Sequence, residues 1–227
     1  YLRPRVALID PLLTHSCPPR VTADSGIDAL VHAIEAYTAV DNAVFPLPPG
    51  LRSCYQGRHP MGVAMAREAI TLAGKHLEQA VRHGTDAVAR EGMALAALYG
   101  GLAFSNVGVA LVHALEYAVA SFVPVSHGAG NGLLVPHVMR FNKHGREDSM
   151  AEIGHYLGVA ANADAAIDAV AALANRIGIP QRLRDLGVTE TMLKPMAEKT
   201  VLMTRILRVN PRQPSVDDLM GILRAAF

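Results

Sequence analysis

The sequence predicts an all-α fold, a helical bundle preceded by one short strand. From Met61 onward the chain is rich in Ala, Leu, Met, Glu and Arg, apolar residues recur at helical spacing, and strand signals are nearly absent. A hydrophobic content of 51% in 227 residues is ample for a buried core. We therefore expect one helical metal-binding domain over residues 21–227, after a strand and proline-rich connection at 1–20.

The first elements follow from local chemistry. VALID at 6–10 predicts a short buried strand, and the three prolines of residues 11–20 predict a loop. A helix is expected to begin with Asp24 or Ser25 as its N-cap and to run through Tyr37. The apolar stripe that predicts this helix consists of Ile27, Leu30, Val31 and Ile34.

Residues 41–60 are rich in proline and predict a long irregular loop. A loop of this length in a compact domain is more often functional, or a subunit contact, than idle. Beyond it, Gly and Pro mark the breaks between further helical segments. These helices are predicted near 61–83, 86–104, 107–121, 130–142, 147–157, 163–178, 189–203 and 215–226.

Composition excludes several classes of partner. The formal net charge is +1, and the charged residues are scattered along the chain, so neither nucleic acid nor an anionic membrane is expected. The apolar run at 93–104 is shorter than the roughly 20 residues of a membrane helix. Cys17 and Cys54 have no framework spacing, and no signal peptide is evident, so we expect a cytoplasmic protein.

Four residues predict one metal site. Asp28 and His32 lie four apart on a predicted helix, where side chains share a face about 5–6 Å apart, and His113 and His127 follow, fourteen residues apart. Burying Asp28 or His113 on an apolar segment without a partner would be unfavourable, and one shared cation would relieve both. Three imidazoles and a carboxylate suit Fe²⁺ or Zn²⁺ better than Mg²⁺ or Ca²⁺.

Two acidic residues and three further histidines are also candidates for supporting roles. Glu35 lies seven residues after Asp28, and Glu116 lies three after His113, so either is a candidate acceptor for a ligand imidazole or an ordinary surface acid. Most helical histidines are surface or satisfied core residues. The histidines that match no ligand spacing, and are expected to be structural or exposed, are His137, His144 and His155.

Taken together, three stretches resemble a known family: DPLLTHSCPPRVTADSGIDALVHAIEAY, GVALVHALEY and SHGAGNGLLVPHVMRFN. The sequence is similar to the C-terminal, helical half of the iron-containing (group III metal-dependent) alcohol dehydrogenases. The resemblance implies one catalytic Fe²⁺ or Zn²⁺ that polarises an alcohol or carbonyl oxygen, with NAD or NADP exchanging the hydride in a full-length parent. Carried across by position, it implies that the metal is held by Asp28, His32, His113 and His127.

The chain departs from the family pattern at two points. Many members have a second histidine four residues after the third ligand, where this chain has Tyr117, which could relay a proton or form an aromatic pocket wall. The family's N-terminal dinucleotide-binding α/β domain has no counterpart here, and the chain begins without Met, so we expect a longer parent. GAGNG at 128–132 follows no strand, so it is not expected to bind a dinucleotide.

Substrate and assembly follow only from the resemblance. YQGRHP at 55–60, after the proline-rich insertion, resembles the branch that includes the hydroxyacid-oxoacid transhydrogenases. Arg52 and Arg58 could face a carboxylate, although solvated loop arginines are the simpler interpretation. We expect a small alcohol, aldehyde or oxo acid as substrate, and a homo-oligomer.

Two other functions stay open at this stage. A helical His/Asp cage could serve a metal-dependent hydrolase that activates water, although the HD dipeptide that would favour it is absent from the sequence. The domain could also be a metal-binding module that is inactive without its cofactor domain. Nicotinamide binding would separate these possibilities.

Overall fold

The structure, a computed structural model, describes residues 5–227, so residues 1–4 of the expected N-terminal segment lie outside it. Short 3-10 turns occupy Pro11–Thr14, Lys143–Gly145 and Leu183–Leu186. Within residues 5–227 the α-helices are α1 (Pro19–Thr38), α2 (Pro60–Arg82), α3 (Ala87–Val107), α4 (Leu111–Ala120), α5 (His127–Asn142), α6 (Glu147–Tyr156), α7 (Ala163–Arg176), α8 (Glu190–Val201), α9 (Thr204–Leu207) and α10 (Val216–Ala225).

Helix α1 is the centre of the bundle. It packs against α2, α3 and α5, while α2 and α3 also form an extensive contact with each other. Helix α5 then joins this group to α4 and α7, and α8 packs on α4 and α10. Ile27 and Leu30 of α1 are completely buried, as are Leu111 and Leu115 of α4. Because the later turns of α1 are covered on nearly every side, the polar residues Glu35 and Thr38 of this helix are buried.

The all-α prediction is confirmed, but the predicted strand at 6–10 is wrong. Among residues 5–227 there is no strand, and the only bridge recorded is the isolated pair Asp41 and Arg58. Val6 is 80% exposed and Leu8 is 93% exposed, so this segment is not buried. A strand needs a neighbour to pair its backbone groups, and the described residues provide none.

The predicted start of the first helix is also wrong, because α1 begins at Pro19. Proline is favoured in the first turn of a helix because its fixed φ suits the helix. An N–H group at that position would have no partner within the helix, so its absence costs nothing. The amide of Thr22 already donates to the Pro18 carbonyl at 3.0 Å. Ser25 lies inside the helix and donates its hydroxyl to the Val21 carbonyl at 2.7 Å. The boundary between residues 20 and 21 remains a prediction.

The later helices lie close to their predicted ranges, with informative differences at α4 and α5. Helix α4 begins at Leu111 rather than near 107, because Gly108 ends α3 with a φ of 111°, which favours glycine. Helix α5 begins at His127 rather than at 130, so the glycine run is helical. The four-residue helix α9 was not predicted.

Residues 41–60 form the predicted irregular segment, but they are firmly held. Arg58 Nε pairs with Asp41 Oδ1 at 2.5 Å, and Arg58 also donates to Ser149 Oγ at 2.9 Å. Arg146 adds a contact of 3.3 Å to Asp41 Oδ2. Burial raises the pKa of Asp41, but the hydrogen bond and charge of Arg58, aided by Arg146, outweigh it and hold that pKa below its ordinary value.

Within the described part of the chain, no single helix is long and apolar enough to span a membrane. Helices α3 and α4 taken together are long and apolar enough, but the chain bends by 99° at the break between them.

The crossing of α5 over α1 depends on glycine. A Cβ atom at Gly128 would overlap the main-chain carbonyl of Asp24, and one at Gly132 would lie 2.9 Å from Ile27 Cγ1. Small residues at such positions let two helices approach closely. This crossing brings the first turn of α5 beside the middle of α1.

Replacing Gly128 with alanine should therefore force the two helices apart. We expect Gly128→Ala to lower the free energy of unfolding by about 1–3 kcal/mol, as overpacking of a core does, measured by urea denaturation. The matched control is Gly221→Ala in α10, where an added Cβ meets nothing within 4 Å. That change should be neutral or slightly stabilising. Equal stability of Gly128→Ala and the wild type would contradict the close crossing.

Candidate metal centre

Three helices bring the four predicted ligands together. Asp28 and His32 lie one turn apart on α1, His113 lies near the start of α4, and His127 is the first residue of α5. The Nε2 atom of His113 is 3.6 Å from Asp28 Oδ1. His32 Nε2 is 3.7 Å from Asp28 Oδ2, and His127 Nε2 is 3.8 Å from Asp28 Oδ1. All three imidazoles thus turn the same nitrogen toward one carboxylate.

The spacing suits a shared cation for three of the four residues, whereas His127 falls outside that group. The ligand atoms of Asp28, His32 and His113 all lie within 4.8 Å of one another. When metal–ligand distances are about 2.0–2.2 Å, two ligand atoms bound to the same ion are separated by distances of this order. The role of the four residues as metal ligands stays a prediction, although their convergence is a feature of the structure.

Two buried carboxylates orient the imidazoles. Glu35 Oε2 lies 2.6 Å from His113 Nδ1, and Glu116 Oε2 lies 2.6 Å from His127 Nδ1. Glu35 is 4% exposed and Glu116 is 1% exposed, so neither is a surface acid. A carboxylate accepts from an N–H, so it fixes the proton on Nδ1 and leaves the Nε2 lone pair directed at Asp28.

Glu35 also secures the start of α4. Its two oxygens accept from the amide of Ala110 at 2.8 Å and from the amide of Val112 at 2.6 Å. The first amides of a helix have no partner within the helix, and a carboxylate there is also favoured by the helix dipole. One side chain of α1 therefore caps α4 and orients the ligand that α4 carries.

The environment of His113 Nε2 indicates whether these residues suit a metal ion. It is buried and has no hydrogen-bond partner in the described chain. A buried polar atom without a partner costs about 1–3 kcal/mol. Here the nitrogen lone pair also faces the negatively charged carboxylate of Asp28, which repels it. A cation between them would satisfy both groups, so the donor set fits a divalent transition metal.

The cluster is open on one side. His113 is buried, whereas the His127 side chain is 43% exposed. Tyr117 is 41% exposed and stacks on His127, with ring centroids 5.6 Å apart. On the buried side, the Phe104 ring stacks on His32 at 4.2 Å. A small molecule can therefore approach the cluster past His127 and Tyr117.

The surroundings shift the pKa values of two of these histidines in opposite directions. Burial lowers the pKa of His32 to about 4, against the opposing charge of Asp28, so this imidazole is neutral near neutral pH. The hydrogen bond to Glu116 raises the pKa of His127 above its ordinary value and outweighs the effect of burial. Since a metal ligand must be unprotonated, protons compete with a metal at His127 up to a higher pH than at His32.

Tyr117 lies beside the cluster, on its open side. Its ring meets His113 edge-on, with centroids 6.1 Å apart. Burial raises the pKa of Tyr117, with a contribution from the charges of Tyr55 and Glu116, so its hydroxyl stays protonated near neutral pH. A protonated hydroxyl fits a proton donor and a pocket wall alike, so the role of Tyr117 stays a prediction.

Sequence reasoning missed Asn131. It is completely buried, and its Nδ2 donates to Asp28 Oδ1 at 2.7 Å and lies 3.1 Å from His127 Nε2. Asn131 follows His127 by four residues on α5, so helical spacing alone could have pointed to it. Its amide holds the carboxylate of α1 against the first turn of α5.

The remaining candidates lie apart from the cluster. His137, His144 and His155 take no part in it, as expected. The glycines of GAGNG serve packing, since a Cβ at Gly130 would lie 2.8 Å from Glu116 Cγ. Arg58 is committed to Asp41 and Ser149, whereas Arg52 lines a separate cavity.

The helical fold matches a known family of domains. The family model described as "Fe-containing alcohol dehydrogenase family, C-terminal" matches residues 54–227. The chain therefore belongs to the iron-containing alcohol dehydrogenase family and corresponds to its C-terminal domain, as the sequence predicted.

Individual relatives agree with this assignment. The chain is 38% identical over 226 residues to "Probable alcohol dehydrogenase EutG" of Escherichia coli (strain K12), covering 99% of this chain and 53% of that protein. A solved structure of 1,3-propanediol oxidoreductase superposes with a TM-score of 0.84 at 37% identity, covering 96% of this chain and 55% of that one. "Hydroxyacid-oxoacid transhydrogenase, mitochondrial" of Bos taurus is 29% identical over 249 residues, covering 100% of this chain and 53% of that protein. The chain spans about half the length of the curated relatives it matches.

Removing the Asn131 amide should weaken metal binding without unfolding the chain. We expect Asn131→Ala to lower Zn²⁺ affinity by about 10–100-fold, as loss of a residue that orients a ligand does, measured by competition with a chromogenic chelator. The control is Asn142→Ala, a buried amide of the same helix that pairs with Asn210 instead. Unchanged affinity in Asn131→Ala would contradict a positioning role.

Proposed function

We propose that this chain is the metal-binding half of an alcohol dehydrogenase that interconverts an alcohol or hydroxy acid with its carbonyl form, using NAD or NADP. Support comes from family membership and from the convergence of three Nε2 atoms on Asp28. The observation that carries the proposal is the buried, unpaired Nε2 atom of His113. Fe²⁺ or Zn²⁺ bound by these four residues would supply Lewis-acid chemistry, polarising the substrate oxygen.

The chain's own residues would prepare this chemistry. Glu35 and Glu116 hold protons on the Nδ1 atoms of His113 and His127, so that both Nε2 lone pairs face inward. Asn131 holds Asp28 in place. The metal-coordinating side chains come from three tightly packed helices, α1, α4 and α5. Their geometry would therefore be set before a metal or substrate binds.

The proposed reaction is a balanced two-electron transfer. The alcohol carbon gives a hydride to the oxidised nicotinamide, and the hydroxyl proton is released to solvent. The carbon is thereby oxidised and the nicotinamide reduced. We propose that the dinucleotide binds in the part of the relatives' length that this chain does not cover, because GAGNG lies within helix α5 and follows no strand.

The substrate class and the setting are proposals as well. The relatives' names support a small alcohol, aldehyde or oxo acid. Both cysteines are free, which supports a cytoplasmic protein. We further propose that the whole protein assembles as a homo-oligomer, on the strength of the family resemblance alone.

Loss of one imidazole tests the metal assignment. We expect the purified chain, loaded with Zn²⁺ or with Fe²⁺ under anaerobic conditions, to hold close to one equivalent of metal by elemental analysis. His113→Ala should hold almost none, because it removes the most buried donor. The matched control is His144→Ala, which removes an imidazole that is 81% exposed and should retain the metal.

Circular dichroism of each variant would establish that it is folded. Full metal content in folded His113→Ala would refute the assignment.

The activity test extends the chain to the start of its reading frame and follows NADH or NADPH oxidation with short aldehydes. In that protein, His113→Ala should abolish turnover and His144→Ala should preserve it.

The role of Tyr117 is tested by separating its ring from its hydroxyl. If Tyr117 is a pocket wall, Tyr117→Phe in the extended protein should keep kcat within a few-fold of wild type, whereas Tyr117→Ala should raise KM. A general acid typically contributes about 10²–10⁴-fold. A loss of that size in Tyr117→Phe would show instead that the hydroxyl transfers a proton.

A further inference from the structure

A second cavity lies between the 41–60 segment and the start of α9. Its volume is about 590 Å³. The residues that line it are Leu47, Leu51, Arg52, Ser53, Cys54, Thr204, Arg205 and Arg208. The lining thus contains three guanidinium groups and no carboxylate. None of the three arginines forms an ion pair within residues 5–227.

Arg208 is fixed in place but only partly satisfied. Its Nη2 donates to the carbonyls of Phe45 at 3.1 Å and Pro46 at 2.6 Å, and its guanidinium lies 4.3 Å from the Phe45 ring centroid. Its Nη1 atom is buried and has no hydrogen-bond partner in the described chain. These contacts hold the Arg208 side chain at the cavity wall, and no carboxylate of the described chain neutralises its charge.

The other two arginines are free to contribute. Arg205 lies over the Tyr55 ring, 5.2 Å from its centroid, which limits its positions without neutralising its charge. Arg52 is exposed at the rim and makes no hydrogen bond recorded for residues 5–227. The guanidinium fork matches the two oxygens of a carboxylate or a phosphate.

The segment that carries these residues is firmly attached to the fold. The amides of Gln56 and Gly57 donate to the Val107 carbonyl at 3.0 and 2.9 Å. A Cβ at Gly108 would lie 2.8 Å from Tyr55 Cδ1, so Tyr55 packs on the link that leads into α4. Tyr55 directly follows the cavity residue Cys54, so these contacts anchor one end of the cavity-lining segment.

We propose that Arg52, Arg205 and Arg208 form a binding site for a small oxyanion, a carboxylate or a phosphate group. The three positive charges attract the anion, and aromatic rings hold Arg205 and Arg208 in place. The site uses none of the proposed metal ligands, so it stands or fails independently of the metal assignment.

The test measures anion binding to the metal-free chain by calorimetry. Metal is removed by a chelator that is then dialysed away, which excludes anion binding to a metal ion. The probes are inorganic phosphate and malonate, each titrated at constant ionic strength with chloride as the background salt. We expect saturable binding of at least one probe. Tighter phosphate binding would identify a phosphate-bearing ligand, and tighter malonate binding a carboxylate.

Variants connect the binding to the cavity. The double variant Arg52→Gln/Arg205→Gln should bind the preferred probe at least ten-fold more weakly. Both side chains are exposed, so the chain should stay folded, and the single variant Arg52→Gln should show a smaller loss. Arg208 is left intact because it also holds the carbonyls of Phe45 and Pro46.

The matched control is Arg182→Gln/Arg224→Gln, which removes the same charge from two exposed positions outside the cavity. This control should bind like the wild type. The absence of saturable binding for both probes, or equal affinity in the two double variants, would overturn the proposal.

Discussion

The carboxylate of Glu35 is the interaction on which the rest of the site depends. It extends from the central helix α1 and accepts from the Ala110 and Val112 amides and from His113 Nδ1. It is buried, so leaving these donors without it would be costly. The same contact thus fixes the start of α4, the tautomer of His113 and the distance between α4 and α1. Glu116 likewise accepts a hydrogen bond from Nδ1 of His127 on α5 and so fixes the tautomer of that imidazole.

This arrangement requires tightly packed helices. The glycine at the α5 crossing lets His127 and Asn131 approach Asp28, and Asn131 joins the two helices through a hydrogen bond of 2.7 Å. The result is a buried polar cluster in which His113 Nε2 and Asn131 Oδ1 have no hydrogen-bond partner among residues 5–227. Our proposal of a metal there explains why so many charged groups are tolerated at the centre of an apolar bundle.

The sequence predicted the parts that local patterns encode. Apolar periodicity located most helices, and the four-residue and fourteen-residue steps identified the side chains that converge. The strand at 6–10 failed because strand formation depends on a partner that local sequence cannot supply. The start of α1 failed because the prolines at 18 and 19 were assigned to a loop, although proline also begins helices.

The supporting residues needed the three-dimensional structure. Sequence spacing left Glu35 and Glu116 open between acceptors and surface acids, and only their burial decided between these roles. The arginine cavity joins residues more than 150 positions apart, Arg52 with Arg205 and Arg208, so no local pattern could have revealed it. Long-range packing sets both features.

The most direct test of the central claim is anomalous X-ray diffraction from crystals of the metal-loaded protein, collected on both sides of the absorption edge of that metal. We expect one peak about 2.0–2.2 Å from the Nε2 atoms of His32, His113 and His127 and from an oxygen of Asp28. A peak at another position, or an ordered cluster without any peak, would contradict it.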